Sequence, residues 1–156
     1  MLAVEAQDKL KKALRKIGQN IENHSMMSPH DFTNEDISLL YSLGVNLYEQ
    51  GDYTQAKTVF QRLVLAKPHE KKFWMALGAS LQMKKHYQEA LTSWAMASLI
   101  QDEDPTPHFH AAECLLCLED KTQAKKALQE AKKRSENDPL LEKKIQALEL
   151  AWDITY

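Results

Sequence analysis

Cys114 and Cys117 stand three residues apart with His108 and His110 just ahead of them, and these are the side chains whose types could bind a metal or form a disulfide. Their spacing argues against both. A disulfide needs Cα atoms within about 7 Å and facing Cβ vectors, which cysteines three apart on a regular helix meet poorly. A single Cys-Leu-Leu-Cys has no second pair to complete a tetrahedral zinc site. Histidines two apart on a helix diverge by about 200° and do not converge on one ion. The six histidines are scattered, and no nucleophile motif or Gly-rich phosphate loop is present. No catalytic residue, cofactor or metal site is assigned, and the expectation is a non-enzyme whose two small thiols stay reduced. The chemistry that remains is that of binding.

What would position a binding surface is an internal repeat. Asp52-Tyr-Thr-Gln-Ala-Lys57 recurs as Asp120-Lys-Thr-Gln-Ala-Lys125, and 120 − 52 = 68 is twice 34. A period of 34 residues is that of the tetratricopeptide helix–turn–helix, whose pattern is Trp-x-x-Leu-Gly-x-x-Tyr, then Ala-x-x-x-Phe, then Pro. Residues 37–70 give Leu40-x-x-Leu43-Gly44-x-x-Leu47, Ala56-x-x-x-Phe60 and Pro68. Residues 71–104 give Trp74-x-x-Leu77-Gly78-x-x-Leu81 and Ala90-x-x-x-Trp94, with Pro105 and Pro107 a little late. Residues 105–138 give His108-x-x-Ala111-Ala112-x-x-Leu115 and Ala124-x-x-x-Leu128, with Pro139 just beyond. The fold class is therefore all-α: a repeat solenoid of three helix pairs within a single domain, 1–156. Small residues at Gly44, Gly78 and Ala112 let paired helices approach, and Phe60, Trp94 and Leu128 fill the space between neighbours.

The flanks complete the frame. Leu10, Ala13, Leu14, Ile17 and Ile21 form one face of an N-terminal helix over 2–23, opposite Lys9, Lys11, Lys12, Arg15 and Lys16. A stripe without Trp or Phe favours packing on another helix or a second subunit over lying on a membrane. A loop around Pro29 follows, closing an N-terminal region of 1–34, and Thr33 or Asn34 can cap the next helix. Leu141, Ile145, Leu148 and Trp152 stripe a last segment, 139–156, which would cap the open end of the stack.

The first helix of each repeat lines the concave face of such a stack at unit positions 2, 5, 9, 12 and 13, one stripe at helical spacing. The residues there are Ser38, Tyr41, Val45, Tyr48 and Glu49; Lys72, Met75, Ala79, Gln82 and Met83; and Thr106, Phe109, Glu113, Leu116 and Cys117. Tyr41, Tyr48, Met75, Met83 and Phe109 make that face unusually apolar, which marks a partner site for adaptable hydrophobic contacts. Some of them could instead pack under a terminal helix. The candidate peptide-binding residues are Tyr41, Val45, Tyr48, Lys72, Met75, Ala79, Met83, Phe109 and Glu113. The Lys/Asn/Arg clamp by which some repeat co-chaperones hold acidic C-termini is missing, since Tyr41, Val45, Ala76, Thr106 and His110 stand in its places.

Composition narrows the class further. A hydrophobic share of 44% with 27% charged residues over 156 residues suits a folded soluble domain. With a net charge of −2, interleaved signs and no reading motif, nothing demands nucleic acid, and no nucleic-acid partner is expected. Glu5, Asp8 and Lys9 interrupt the start, leaving no signal-peptide core, and no run reaches the roughly 18 apolar residues of a membrane span.

Pro107-His-Phe-His-Ala-Ala-Glu-Cys-Leu-Leu116 resembles the third-repeat signature of the class II type III secretion chaperones, the translocator chaperones. Leu40-Tyr-Ser-Leu-Gly-Val-Asn-Leu-Tyr48 with Gly51 and Tyr53, and Leu77-Gly-Ala-Ser-Leu-Gln82 with Tyr87, are similar to the family's first two repeats. The resemblance implies a bacterial cytoplasmic virulence chaperone that binds an extended segment of a hydrophobic translocator in its concave groove, keeping it soluble and ready for secretion. Family groove positions match at Tyr41, Val45 and Tyr48. The resemblance also implies a homodimer through the N-terminal region, although Ser25-Met-Met-Ser-Pro29 replaces the family's Gly-containing linker. The competing reading is a generic repeat scaffold for protein assembly.

Overall fold

A computed structural model describes residues 32–156. The N-terminal helix and most of the Pro29 loop expected from sequence lie outside the described residues. Seven helices follow: α1 (Asn34–Glu49), α2 (Tyr53–Ala66), α3 (Lys71–Met83), α4 (Tyr87–Ile100), α5 (Pro105–Cys117), α6 (Lys121–Arg134) and α7 (Pro139–Ala151). Two compact units make up the chain, one ending at Pro68 and the other running from His69 to Tyr156.

In the first unit, Thr33 settles the choice of cap. Its Oγ1 accepts the Asp36 N–H at 3.1 Å, while the Asp36 carboxylate accepts the Thr33 N–H at 3.0 Å. This is a reciprocal capping box with Asp in the usual Glu position. Gly51 turns the chain with φ +82°, and Asp52 caps α2 by accepting the Gln55 N–H at 3.1 Å. Leu40, Ala56, Phe60 and Leu63 are buried. Gly44 is required, because a Cβ would lie 2.5 Å from Phe60 Cε1.

The second unit repeats these devices. Lys85 and Glu119, each 34 residues after the last, take the turn position of Gly51 with φ 62°. Asp120 caps α6 by accepting the Gln123 N–H at 3.0 Å, whereas His86 caps α4 without a side-chain bond. Ala90 and Ala124 are fully buried, as Ala56 is in the first unit. Across the helix pairs, Lys71 Nζ pairs with Asp104 and reaches Gln101 Oε1 at 3.2 Å. Arg134 holds the Asp102 carboxylate at 3.0 and 3.1 Å.

Helix α7 does what its stripe requires. Leu141 and Ile145 join Phe109, Ala112, Leu128 and Ala131 in one core cluster, with Leu148 packed alongside. The helix is shorter than the 139–156 span expected from sequence. Trp152 is its C-cap, and Asp153 takes φ 51° to reverse the chain. Ile154 then packs on the same cluster, and the Tyr156 ring lies between Lys125 Nζ at 5.0 Å and Lys132 Nζ at 4.8 Å. The apolar end of the stack is thereby covered, as a solenoid end must be.

Candidate functional site

In the first unit, α1 carries Tyr41, Val45 and Tyr48 at spacings of four and three, so they fall on one face, and all three are half-buried. The Tyr41 ring sits 6.1 Å from Phe60, tilted by 54°. Tyr48 meets the edge of Tyr53 at 5.2 Å. Burial, with Tyr53 adding to it, pushes the Tyr48 phenol above its ordinary range, so it stays neutral. These rings rest on the pair's own aromatics and still offer surface. They are held in place before any ligand arrives, which lowers the ordering cost of binding.

The second unit presents Met75 and Ala79 half-buried on α3, with Met83 48% exposed at its end. Lys72 is exposed, its ammonium 5.4 Å above the Phe73 ring. The Met side chains supply an adaptable apolar strip.

Beside that strip lies a polar network joining α3, α4 and α5. Trp94 Nε1 donates to Gln82 Oε1 at 3.1 Å, and Gln82 Nε2 donates to Glu113 Oε2 at 2.8 Å. His110 Nδ1 lies 2.7 Å from the same oxygen, and its ring stacks on Trp94 at 4.7 Å. Burial pushes the Glu113 carboxyl up, but the His110 and Gln82 bonds outweigh it and hold the pKa below its ordinary value. Glu113 is therefore ionised at neutral pH. The sequence placed Gln82 and Glu113 on the stripe but not their partners. The signal was the i, i+3 spacing of His110 and Glu113; the Trp94 contact comes from another helix and has no local signature.

Phe109 requires a correction. Expected on the open face, it is only 5% exposed and lies in the core cluster with Leu128, Leu141 and Ile145. Leu116, on the same stripe, is 1% exposed. The last repeat has α7 as its neighbour, and that helix needs an apolar surface to cover. On α5, Phe109 is thus given to the contact with α7, whereas Glu113 on the same stripe stays half-exposed. No cluster of metal-ligating side chains occurs among the described residues. Cys114 is buried, and burial followed by the nearby Glu113 charge pushes its thiol up to about 12.

The architecture defines a tetratricopeptide-repeat protein, and residues 38–66 and 72–104 each match a family model described as tetratricopeptide repeat. Relatives narrow this. The type III secretion translocator chaperone SycD of Yersinia enterocolitica superposes with a TM-score of 0.71 and 30% identity, covering 76% of this chain and 91% of that one. The chain belongs to that family of type III secretion translocator chaperones. PcrH, solved in complex with the chaperone binding region of PopD, superposes with a TM-score of 0.74 at 28% identity, covering 80% of this chain and 96% of that one. Low calcium response locus protein H of Yersinia pestis is 34% identical over 87 residues, 56% of this chain and 52% of that protein. The chain thus spans about half the length of that relative.

Proposed function

We propose that this protein is a chaperone of the bacterial cytoplasm that binds hydrophobic translocator subunits of a type III secretion system and holds them soluble before export. One observation carries the reading: α1 and α3 each keep an apolar strip accessible, Tyr41/Val45/Tyr48 and Met75/Ala79/Met83, where a monomeric solenoid would gain by polar residues. Two relatives support it, since SycD was solved with a peptide of the translocator YopD and PcrH with the chaperone binding region of PopD. Among the described residues no helix is long and apolar enough to cross a membrane.

The mechanism needs no bond chemistry, catalytic group or cofactor. A translocator's membrane-inserting segments aggregate in water. A chaperone that binds the unaggregated chain lowers its free concentration and withdraws it from that fate by mass action. Affinity resides in a few apolar anchors seated on preorganised rings and methionines, not in the total contact area. Tyr41, Val45 and Tyr48 take such anchors in the first unit, and Met75, Ala79 and Met83 in the second, with Lys72 and Glu113 at the polar margin. SycD has been solved as an alternative dimer, and a homodimer is proposed here too, checked by light scattering on the full chain.

Co-expression with each translocator of the same secretion system tests the reading. A soluble complex that appears only with the chaperone supports it. A translocator equally insoluble with and without the chaperone contradicts it, and a scaffold role for the repeats would then take its place.

A further inference from the structure

Position 9 of the repeat is Val45 in the first unit, Ala79 in the second and Glu113 in the third. Two of the three are apolar. The third is a carboxylate whose side chain is 30% exposed, beside an apolar strip. Partly burying an ionised group is costly, and the protein spends three side chains on orienting this one. Gln82 and His110 both bind Oε2, and Trp94 fixes both of them, through a hydrogen bond to Gln82 and a stack on His110. Glu113 Oε1 has no hydrogen-bond partner among the described residues. Among them His110 is also the only group within ion-pair distance. Lys144 on α7 acts on the carboxylate only through space.

We propose that Glu113 Oε1 is a specificity contact that accepts a hydrogen bond from a lysine or arginine side chain of the bound client segment. This rests on the client-binding reading above and adds one polar rule to it: apolar anchors supply adhesion, and one basic residue sets the register. The charge explains the choice of donor. A carboxylate already given two donors on one oxygen still carries a full negative charge. An ammonium or guanidinium neutralises that charge, whereas a main-chain amide does not. An ionised acceptor held in a half-dry site by a fixed network also discriminates strongly, because an apolar or acidic residue opposite it leaves the charge desolvated without a partner.

The test uses the full chain and an array of extended peptides with leucine at fixed alternate positions. Each remaining position is set in turn to lysine, arginine, norleucine or glutamate. The wild type is expected to bind leucine-containing peptides and to prefer lysine or arginine over norleucine at one position by about tenfold. Glu113→Gln is expected to erase that preference by weakening the lysine and arginine peptides and tightening the norleucine peptide, which no longer faces an unpaired charge, and to melt within a few degrees of wild type. Glu113→Asp should retain part of the preference. A wild type that binds but shows no basic preference overturns the inference and leaves the client-binding reading standing. The inference is overturned in the same way if Glu113→Gln keeps the preference, or weakens all peptides equally. A wild type that captures no peptide counts against the client-binding reading itself, and this contact falls with it.

Discussion

Gly78→Leu is the perturbation whose outcome follows most directly from the geometry. A Cβ at Gly78 would lie 2.9 Å from both Cδ2 and Cε2 of Trp94 and 3.2 Å from Cε3. Carbon atoms in contact prefer about 3.5 Å or more, so the overlap is at least about 0.6 Å before the rest of the leucine is placed. Trp94 has little room to yield. It is 2% exposed, donates to Gln82 at 3.1 Å and stacks on His110 at 4.7 Å. Overpacking of this kind costs about 3 kcal/mol or more at its upper range. Leucine returns about 1 kcal/mol of helix propensity over glycine. The net loss is therefore about 2 kcal/mol or greater, a fall of about 4–8 °C in melting temperature for a protein of this size. Thermal melts by circular dichroism read it directly, with near-UV signals reporting on the Trp94 environment. Gly51→Ala is the control. It has open space around the Cβ and only the left-handed φ of +82° to oppose it, so about 1 kcal/mol is lost. A Gly78→Leu melt coincident with wild type would show that α3 and α4 do not meet as described.

Three further outcomes follow. Phe109→Ala should destabilise by about 3–5 kcal/mol, as deletion of a buried ring does; equal urea midpoints for variant and wild type would return Phe109 to the surface. In Asp104, burial pushes the carboxyl up, but the bonds from Lys71 and Thr106 outweigh it and hold its pKa below the ordinary value. A depressed folded pKa contributes stability that is complete above the unfolded value of about 3.9 and disappears as pH falls through the folded value. Urea midpoints should therefore drop on acidification below about pH 4, and drop less in Lys71→Met; identical pH profiles would show that the pair contributes nothing to stability. Finally, Cys117 is exposed and Cys114 buried with its thiol pushed up to about 12. Mass spectrometry of the folded protein after brief alkylation at pH 8 should show one adduct, and two after denaturation; two at once would place Cys114 within reach of solvent.

The repeat frame was legible because it is local. Matching residues 34 apart force matching turns, and Gly51, Lys85 and Glu119 do take the same positive φ although only one is glycine. The buried alanines and the large residues at Phe60, Trp94 and Leu128 followed from the same phase. What the phase could not show is which face a terminal repeat gives away. Phe109 and Tyr41 hold the same repeat position, yet Phe109 is buried because α7 needs an apolar partner. Burial there is decided by the neighbour, not by the helix that carries the residue. The Trp94–Gln82–Glu113–His110 network escaped for a related reason. Its members come from three helices, and only their packing makes the spacing meaningful. The end of α7 escaped too, since Trp152 continues the apolar stripe but caps the helix.

The central claim is that the accessible strips on α1 and α3 bind a translocator. The most direct measurement is the affinity of the purified chaperone for a translocator's chaperone-binding segment, compared with Tyr41→Ala and Tyr48→Ala, by isothermal titration calorimetry. Wild type should bind saturably, and each variant should lose about tenfold or more in affinity, as for truncated aromatic anchors, with helix content unchanged. Wild-type affinity in both variants would contradict the claim.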